Sequence, residues 1–221
     1  MVSIDELGLT IYPDHVAHFY LFQLLKPLLL KSSEPSFNSR VVMVSSTAHG
    51  FSTVQIGNYN QDKKVTSGID PLTAMDSDYN IMVAYGQSKT ANIWMSNEID
   101  RRYGAKGLHG LAIHPGSIQT VGWANLDPVF MEKIGPLLEL EEFKVAFKSV
   151  EQGAATQVLA AIGKDYEGKG GLYLDDCRVS PPLADDQMVG TVGYRPWAYN
   201  PEGEKKLWVD SLEMVGLNDD Q

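Results

Sequence analysis

Tyr85-Gly86-Gln87-Ser88-Lys89 places a phenol and an ammonium four residues apart. On a helix that spacing sets both groups on one face, one turn apart. A free tyrosine, with a pKa near ~10, is a poor proton shuttle at neutral pH. A neighbouring ammonium favours the phenolate, so the pair suits general acid/base work on a carbonyl or an alcohol. Alone, Tyr-x-x-x-Lys is common and also describes an ordinary solvated helix face. Two further features narrow the reading. Ser45-Ser46 and His114-Pro115-Gly116 each follow an apolar run of strand character. A serine hydroxyl at such a strand end can hydrogen-bond a carbonyl oxygen or a developing oxyanion.

The elements that must position these groups follow from pattern. Arg40 to Ser45 is a β-branched run that fits a strand buried on both faces, as in a parallel sheet. Leu108 to Ile113 is a second such strand, and Gly171 to Leu174 a third. Tyr85 to Tyr103 reads as a helix stopped by Gly104. Residues 15–31 read as an apolar helix, capped by Asp14 and kinked or shortened by Pro27. Leu9 to Tyr12 reads as a short strand. Ser149-Val150-Glu151-Gln152 is a capping box that opens a helix ending before Gly163. Asn200-Pro201 starts a last helix through Leu212. The alternation predicts one α/β domain over residues 1–221, a parallel sheet with flanking helices. In open α/β sheets the ligand crevice lies beyond the carboxyl ends of the strands, where Ser46, Gly116 and the Tyr85 helix would converge.

The 221 residues are 43% hydrophobic and 21% charged, with a net charge of −10. That balance, and the lack of any basic run longer than a pair, argues against nucleic acid. No stretch reaches the ~18 apolar residues of a membrane span. The opening Met1-Val2-Ser3-Ile4-Asp5-Glu6 lacks the layout of a signal peptide. Cys177, the one cysteine, excludes an intrachain disulfide and reads as a small packed side chain. A cytoplasmic protein is expected. His15 and His18 lie one helical turn apart, yet no metal site is expected.

Together, Arg40 to Ser46, Tyr85 to Lys89 followed by Thr90-Ala91-Asn92-Ile93, and His114-Pro115-Gly116 with Thr120 resemble the short-chain dehydrogenase/reductase family. Asp14-His15-Val16-Ala17-His18-Phe19 resembles the Asn-His-Leu-Gly-His-Phe segment of its retinol-dehydrogenase-like branch. Glu151 to Ala154 and Gly171 to Cys177 resemble that branch's C-terminal part. The resemblance spans roughly residues 14 to 215. It implies a Rossmann-like fold, Tyr85 as acid/base, Lys89 as its electrostatic partner and ribose ligand, and Ser46 as the group orienting the substrate oxygen. Pro115, Gly116 and Thr120 would line the nicotinamide side. His49, Trp123, Phe130 and Met131 would border a lipophilic substrate pocket. Asp14 stands where the family has an asparagine. It either only caps its helix or belongs to the catalytic set, its carboxylate favouring a charged Lys89 or acting as a base itself.

The family's opening strand and Thr-Gly-x-x-x-Gly-x-Gly turn, which cradle a pyrophosphate, have no counterpart here. Gly104, Gly107 and Gly110 join a helix to a strand, the wrong order, and Gly168 to Gly171 precede a strand. Relative to the family, at least two βαβ units of ~30 residues each are absent, a truncated sheet lacking its first strands. That leaves the strand at 40–45 near an edge and dinucleotide affinity poor. The leading expectation is therefore cofactor-independent acid/base catalysis, such as isomerisation, epimerisation, dehydration or cyclisation, on a hydrophobic carbonyl compound. An NAD(P)-dependent oxidoreductase with its N-terminal part lost or supplied in trans is the alternative. A non-catalytic partner is the third reading. A homodimer, or a heterodimer with a family relative, is expected, because in the family the Tyr/Lys helix commonly packs on its copy.

Overall fold

The computed structural model describes residues 11–63, 79–118, 147–184 and 190–219, together with Gly135, Glu139 and Gln187. Helix α1 (Ala17–Ser32) follows a π-helical turn at Tyr12–Val16. Strand β1 (Ser39–Val44) leads through a 3-10 turn (Thr47–Phe51) toward α2 (Ile81–Tyr103). Then come β2 (Leu108–His114), the short β3 (Ser117–Ile118) and β4 (Phe147–Lys148), and α3 (Val150–Ile162). The hairpin β5 (Leu172–Asp175) and β6 (Arg178–Val179) precedes α4 (Pro201–Met214).

The main sheet runs β1-β2-β5-β6, parallel except for β6, which returns antiparallel to β5. Register decides its two faces, because side chains alternate along a strand. Met43, Ala112 and Tyr173 stand abreast. Their face is covered by α2, through Ile93 against Ala112 and Tyr173 and through Met95 and Ile99 against Met43. Val42, Leu111 and Leu172 form the opposite face, packed on α3 around Ala160.

Seating α2 requires Gly110. A Cβ there would lie 2.1 Å from the Ser96 carbonyl oxygen of the helix, so only glycine admits the approach. Helix α2 is thereby buried along most of its length, polar residues included. It begins at Ile81, four residues before the expected Tyr85. Asn80 caps it, its side chain accepting from the Met82 and Val83 amides. The expected capping box of α3 is present, with Ser149 and Gln152 exchanging bonds.

Several expectations are corrected. Ile11 and Tyr12 are helical, not strand, and Ile11 packs into a core of Val54, Ala91, Trp94 and Leu207; Leu9 and Thr10 lie outside the described residues. Pro27 neither ends nor shortens α1. Strand β1 is half-buried rather than buried on both faces, and Val44 at its end is 45% exposed. The reason is topological: among the described residues no strand pairs with β1 on the side away from β2. Leu21, Leu24, Leu25 and Leu28 of α1 also face outward. Among the described residues no helix is long and apolar enough to cross a membrane.

Gly110→Ala should lower stability by about 1–3 kcal/mol, the usual cost of overpacking. Urea unfolding would show a reduced midpoint with an unchanged slope.

Candidate active site

Helix α2 and the carboxyl end of β1 are joined by side chains. Ser45 Oγ donates to the Lys89 carbonyl at 2.8 Å, and Asn92 Nδ2 donates to the Val44 carbonyl at 3.1 Å. Thr90 Oγ1 bonds the Ser52 carbonyl at 2.7 Å and the His49 carbonyl at 3.2 Å. Gly86 lets the 3-10 turn sit directly on the helix, since a Cβ there would lie 2.8 Å from the Ala48 carbonyl oxygen. The turn that begins at Ser46 is thus fixed beside Tyr85. Ser45, Gly86 and Asn92 carry this positioning, and none was singled out from sequence for it. Gly86 inside the Tyr/Lys motif was the available signal.

Tyr85 is 37% exposed, and Lys89 Nζ lies 5.1 Å from the centre of its ring. Lys89 is also held from below. Its Nζ is 3.2 Å from Asp14 Oδ2, and Ser88 Oγ donates to the same carboxylate oxygen at 3.0 Å. Asp14 therefore does not cap α1. It sits inside the π-helical turn, where the extra residue per turn accompanies a carboxylate directed at α2 rather than at its own backbone. Ser46 Oγ accepts from the Ala48 amide at 3.1 Å and caps the 3-10 turn. Its own hydroxyl proton remains available to a substrate oxygen.

His49, expected at the pocket border, is buried. Its Nδ1 faces the Ser46 carbonyl at 2.7 Å, its Nε2 accepts from the Arg195 amide at 3.3 Å, and its ring meets Tyr173 edge-on. Burial pulls its pKa down to about 4, against the opposing Ser46 bond, with the charge of Arg195 adding to the depression. It is a neutral strut between the 3-10 turn and the C-terminal segment. His15 is likewise buried, bonded to Ser211 Oγ at 2.9 Å, and burial lowers its pKa to about 4. His18 is exposed and its Nδ1 faces the Asp14 carbonyl. Among the described residues no group of three His, Cys, Asp or Glu side chains is placed to hold a metal. Cys177, expected to be packed, is exposed at the β5–β6 turn, where it and Asp176 both have positive φ.

The described residues fit a dinucleotide at its nicotinamide ribose end only. Lys89 Nζ has donors beyond the one that Asp14 engages, and its side chain is 13% exposed. Pro115 and Gly116 follow β2 as expected, and Gly116 has the left-handed φ of 96°. The space a Cβ would fill at Gly116 is taken by Lys148, whose Cδ would be 2.5 Å away. No glycine-rich strand-to-helix turn that could cradle a pyrophosphate occurs among the described residues. Thr120, Trp123, Phe130 and Met131 lie outside the described residues.

No family model matches the chain. It is 44% identical over 218 residues to the short-chain dehydrogenase/reductase prx1 of Penicillium roqueforti, covering 98% of this chain and 58% of that protein. It is 41% identical over 211 residues to the oxidoreductase calI of Penicillium decumbens, covering 92% of this chain and 56% of that protein. The chain thus spans a little over half the length of these relatives. A crystal structure of an uncharacterised protein from Mycobacterium paratuberculosis superposes with a TM-score of 0.61 at 23% identity, over all of this chain and 63% of that one. That likeness concerns the fold.

The buried histidines generate a pH dependence. Their folded pKa values lie below the ordinary 6.5, so the unfolded chain takes up protons first as pH falls. Their contribution is intact above about 6.5 and is lost as pH falls toward 4. Urea midpoints measured between pH 7 and pH 4 should fall, and His49→Gln should make that fall less steep.

Proposed function

Because the chain belongs to the short-chain dehydrogenase/reductase family, we propose that it carries the proton-transfer half of an NAD(P)-dependent oxidoreductase acting on a hydrophobic carbonyl compound or the matching alcohol. The observation that carries the reading is the Tyr85–Lys89 pair, one turn apart, with Lys89 over the Tyr85 ring and pinned by Asp14. A nicotinamide dinucleotide, when bound, supplies or accepts the hydride. Tyr85 donates its phenolic proton to the carbonyl oxygen during reduction and takes it back during oxidation. The Ser46 hydroxyl, already accepting from Ala48, donates to the same oxygen and opposes its developing charge. Lys89 keeps positive charge beside the phenol. Asp14 and Ser88 hold the ammonium in place, and Ser45 fixes the backbone from which it projects.

A second reading uses the same groups without a nucleotide, for proton transfer alone. Asp14 favours it, because its carboxylate occupies one of the donors that a ribose would otherwise use. The two readings share Tyr85 and differ in whether turnover requires NAD(P)H.

The deciding measurement is turnover of an aryl alkyl ketone by the purified chain with and without NADPH, alongside Tyr85→Phe. The oxidoreductase reading expects NADPH-dependent turnover that falls about 10²–10⁴-fold in the variant, the usual range for loss of a general acid. Circular dichroism should show an unchanged fold. Equal rates for wild type and Tyr85→Phe would sink both readings.

A further inference from the structure

His114 and Asp175 are register partners at the carboxyl ends of β2 and β5, so their side chains share a face. It is the face covered by α2, because Ala112 and Tyr173 precede them by two residues on the same strands. Ser180, just beyond β6, joins this corner through its backbone N–H, which donates a hydrogen bond to the Tyr173 carbonyl. Each of the four residues has a buried polar atom without a hydrogen-bond partner among the described residues: His114 Nδ1, Asp175 Oδ2, Tyr173 Oη and Ser180 Oγ. Buried polar groups are ordinarily paired, and unpaired ones mark a bound water, a ligand or a catalytic role. Four at the end of a parallel sheet, where ligands bind in this architecture, form a built polar corner.

The corner adjoins the proposed site. Tyr85 is close enough to Tyr173 to add to the pressure against ionisation of that buried phenol, as Asp175 also does. Asp175 itself is 2% exposed. Burial raises its carboxyl to about 6; Lys148 and Arg178 oppose the rise, the charge of Asp176 adds to it, and a hydrogen bond from the Asp176 backbone N–H opposes it. A carboxyl near neutrality, excluded from water, is what proton abstraction from carbon requires. Neighbouring His114 stays neutral, burial pulling its pKa down to about 3 with the charges of Lys148 and His49 adding.

We propose that Asp175 is a second acid/base group of this site, one that takes a proton from the carbon next to a ketone whose oxygen is held by Tyr85. In that step the C–H bond breaks and its proton passes to Asp175 Oδ2. The C–H electron pair forms the carbon–carbon double bond, and the carbonyl π pair moves to the oxygen, which accepts a hydrogen bond from Tyr85. Return of the proton to the same carbon exchanges or inverts that centre; return to a conjugated carbon moves a double bond. No oxidant, reductant or hydride enters the balance. The inference rests on Tyr85 as the group that holds the carbonyl and adds an activity that needs no nucleotide.

The test is hydrogen–deuterium exchange at the α-carbon of acetophenone and of 2-decanone in deuterated buffer, without nucleotide, followed by proton NMR. Wild type should exchange well above buffer. Asp175→Asn, nearly isosteric, should lower the enzymatic rate about 10²–10⁴-fold, and Tyr85→Phe should lower it as well. The wild-type rate should rise as pH passes through about 6, where Asp175 ionises. That profile is read on unmodified protein and holds should Asp175→Asn fail to fold. Lys148, Asp176, Arg178, His114, Tyr173 and Tyr85 are the titratable or charged groups around that carboxyl. Burial moves the two most enclosed of them out of the window, His114 downward to about 3 and Tyr173 upward. No exchange by wild type, undiminished exchange by Asp175→Asn, or a flat profile across pH 6 overturns the proposal. Each outcome leaves NADPH-dependent turnover to be judged on its own measurement.

Discussion

The close approach of α2 to β2 governs this molecule. Gly110 brings the backbone of the helix at Ser96 against the sheet, and Gly86 brings the 3-10 turn against the other end of the same helix. With both glycines in place α2 is buried nearly throughout, and its polar residues find partners in neighbouring elements and within the helix itself. Thr90 and Asn92 bond backbone carbonyls of the 3-10 segment and β1. Asn97 bonds Glu204 on α4, and Glu98 is paired by Arg101 and Arg102. A buried carboxylate is tolerated only when paired and hydrogen-bonded, and both Glu98 and Glu204 meet that condition. A rigid helix is what the proposed chemistry requires, because α2 carries both Tyr85 and Lys89 and sets them in relation to Ser46, with Asp14 of the π turn pinning Lys89.

Electrostatics around that helix are arranged by burial more than by net charge. The chain carries −10, yet the groups beneath the site are a clamped ammonium, neutral histidines and a carboxyl raised toward neutrality. Asp14 sits in a π-helical turn, an irregularity that often accompanies a functional side chain. The same low-dielectric environment that keeps His49 and His114 neutral makes unpaired polar atoms costly. The corner at Asp175 gathers four such atoms on adjoining strand ends.

Much of the framework was legible in the chain itself. Apolar runs marked β1, β2 and β5, and the capping signals at Ser149 and Asn200 marked two helix starts. The Tyr85–Lys89 spacing marked the candidate acid/base pair, and its company of Ser46 and His114-Pro115-Gly116 carried the family resemblance. These are local signals: side-chain periodicity, caps and motif spacing are written in consecutive residues. Tertiary structure alone decided three other things. Asp14 read first as a helix cap, and only the seating of the π turn on α2 placed its carboxylate against Lys89 instead. His49 read as a pocket residue and became a buried strut, because the C-terminal segment at Arg195 and Trp197 closes over it. Asp175 drew no attention from sequence. Its significance comes from register with His114 and from burial, both properties of strands brought together from distant parts of the chain, which no local pattern encodes.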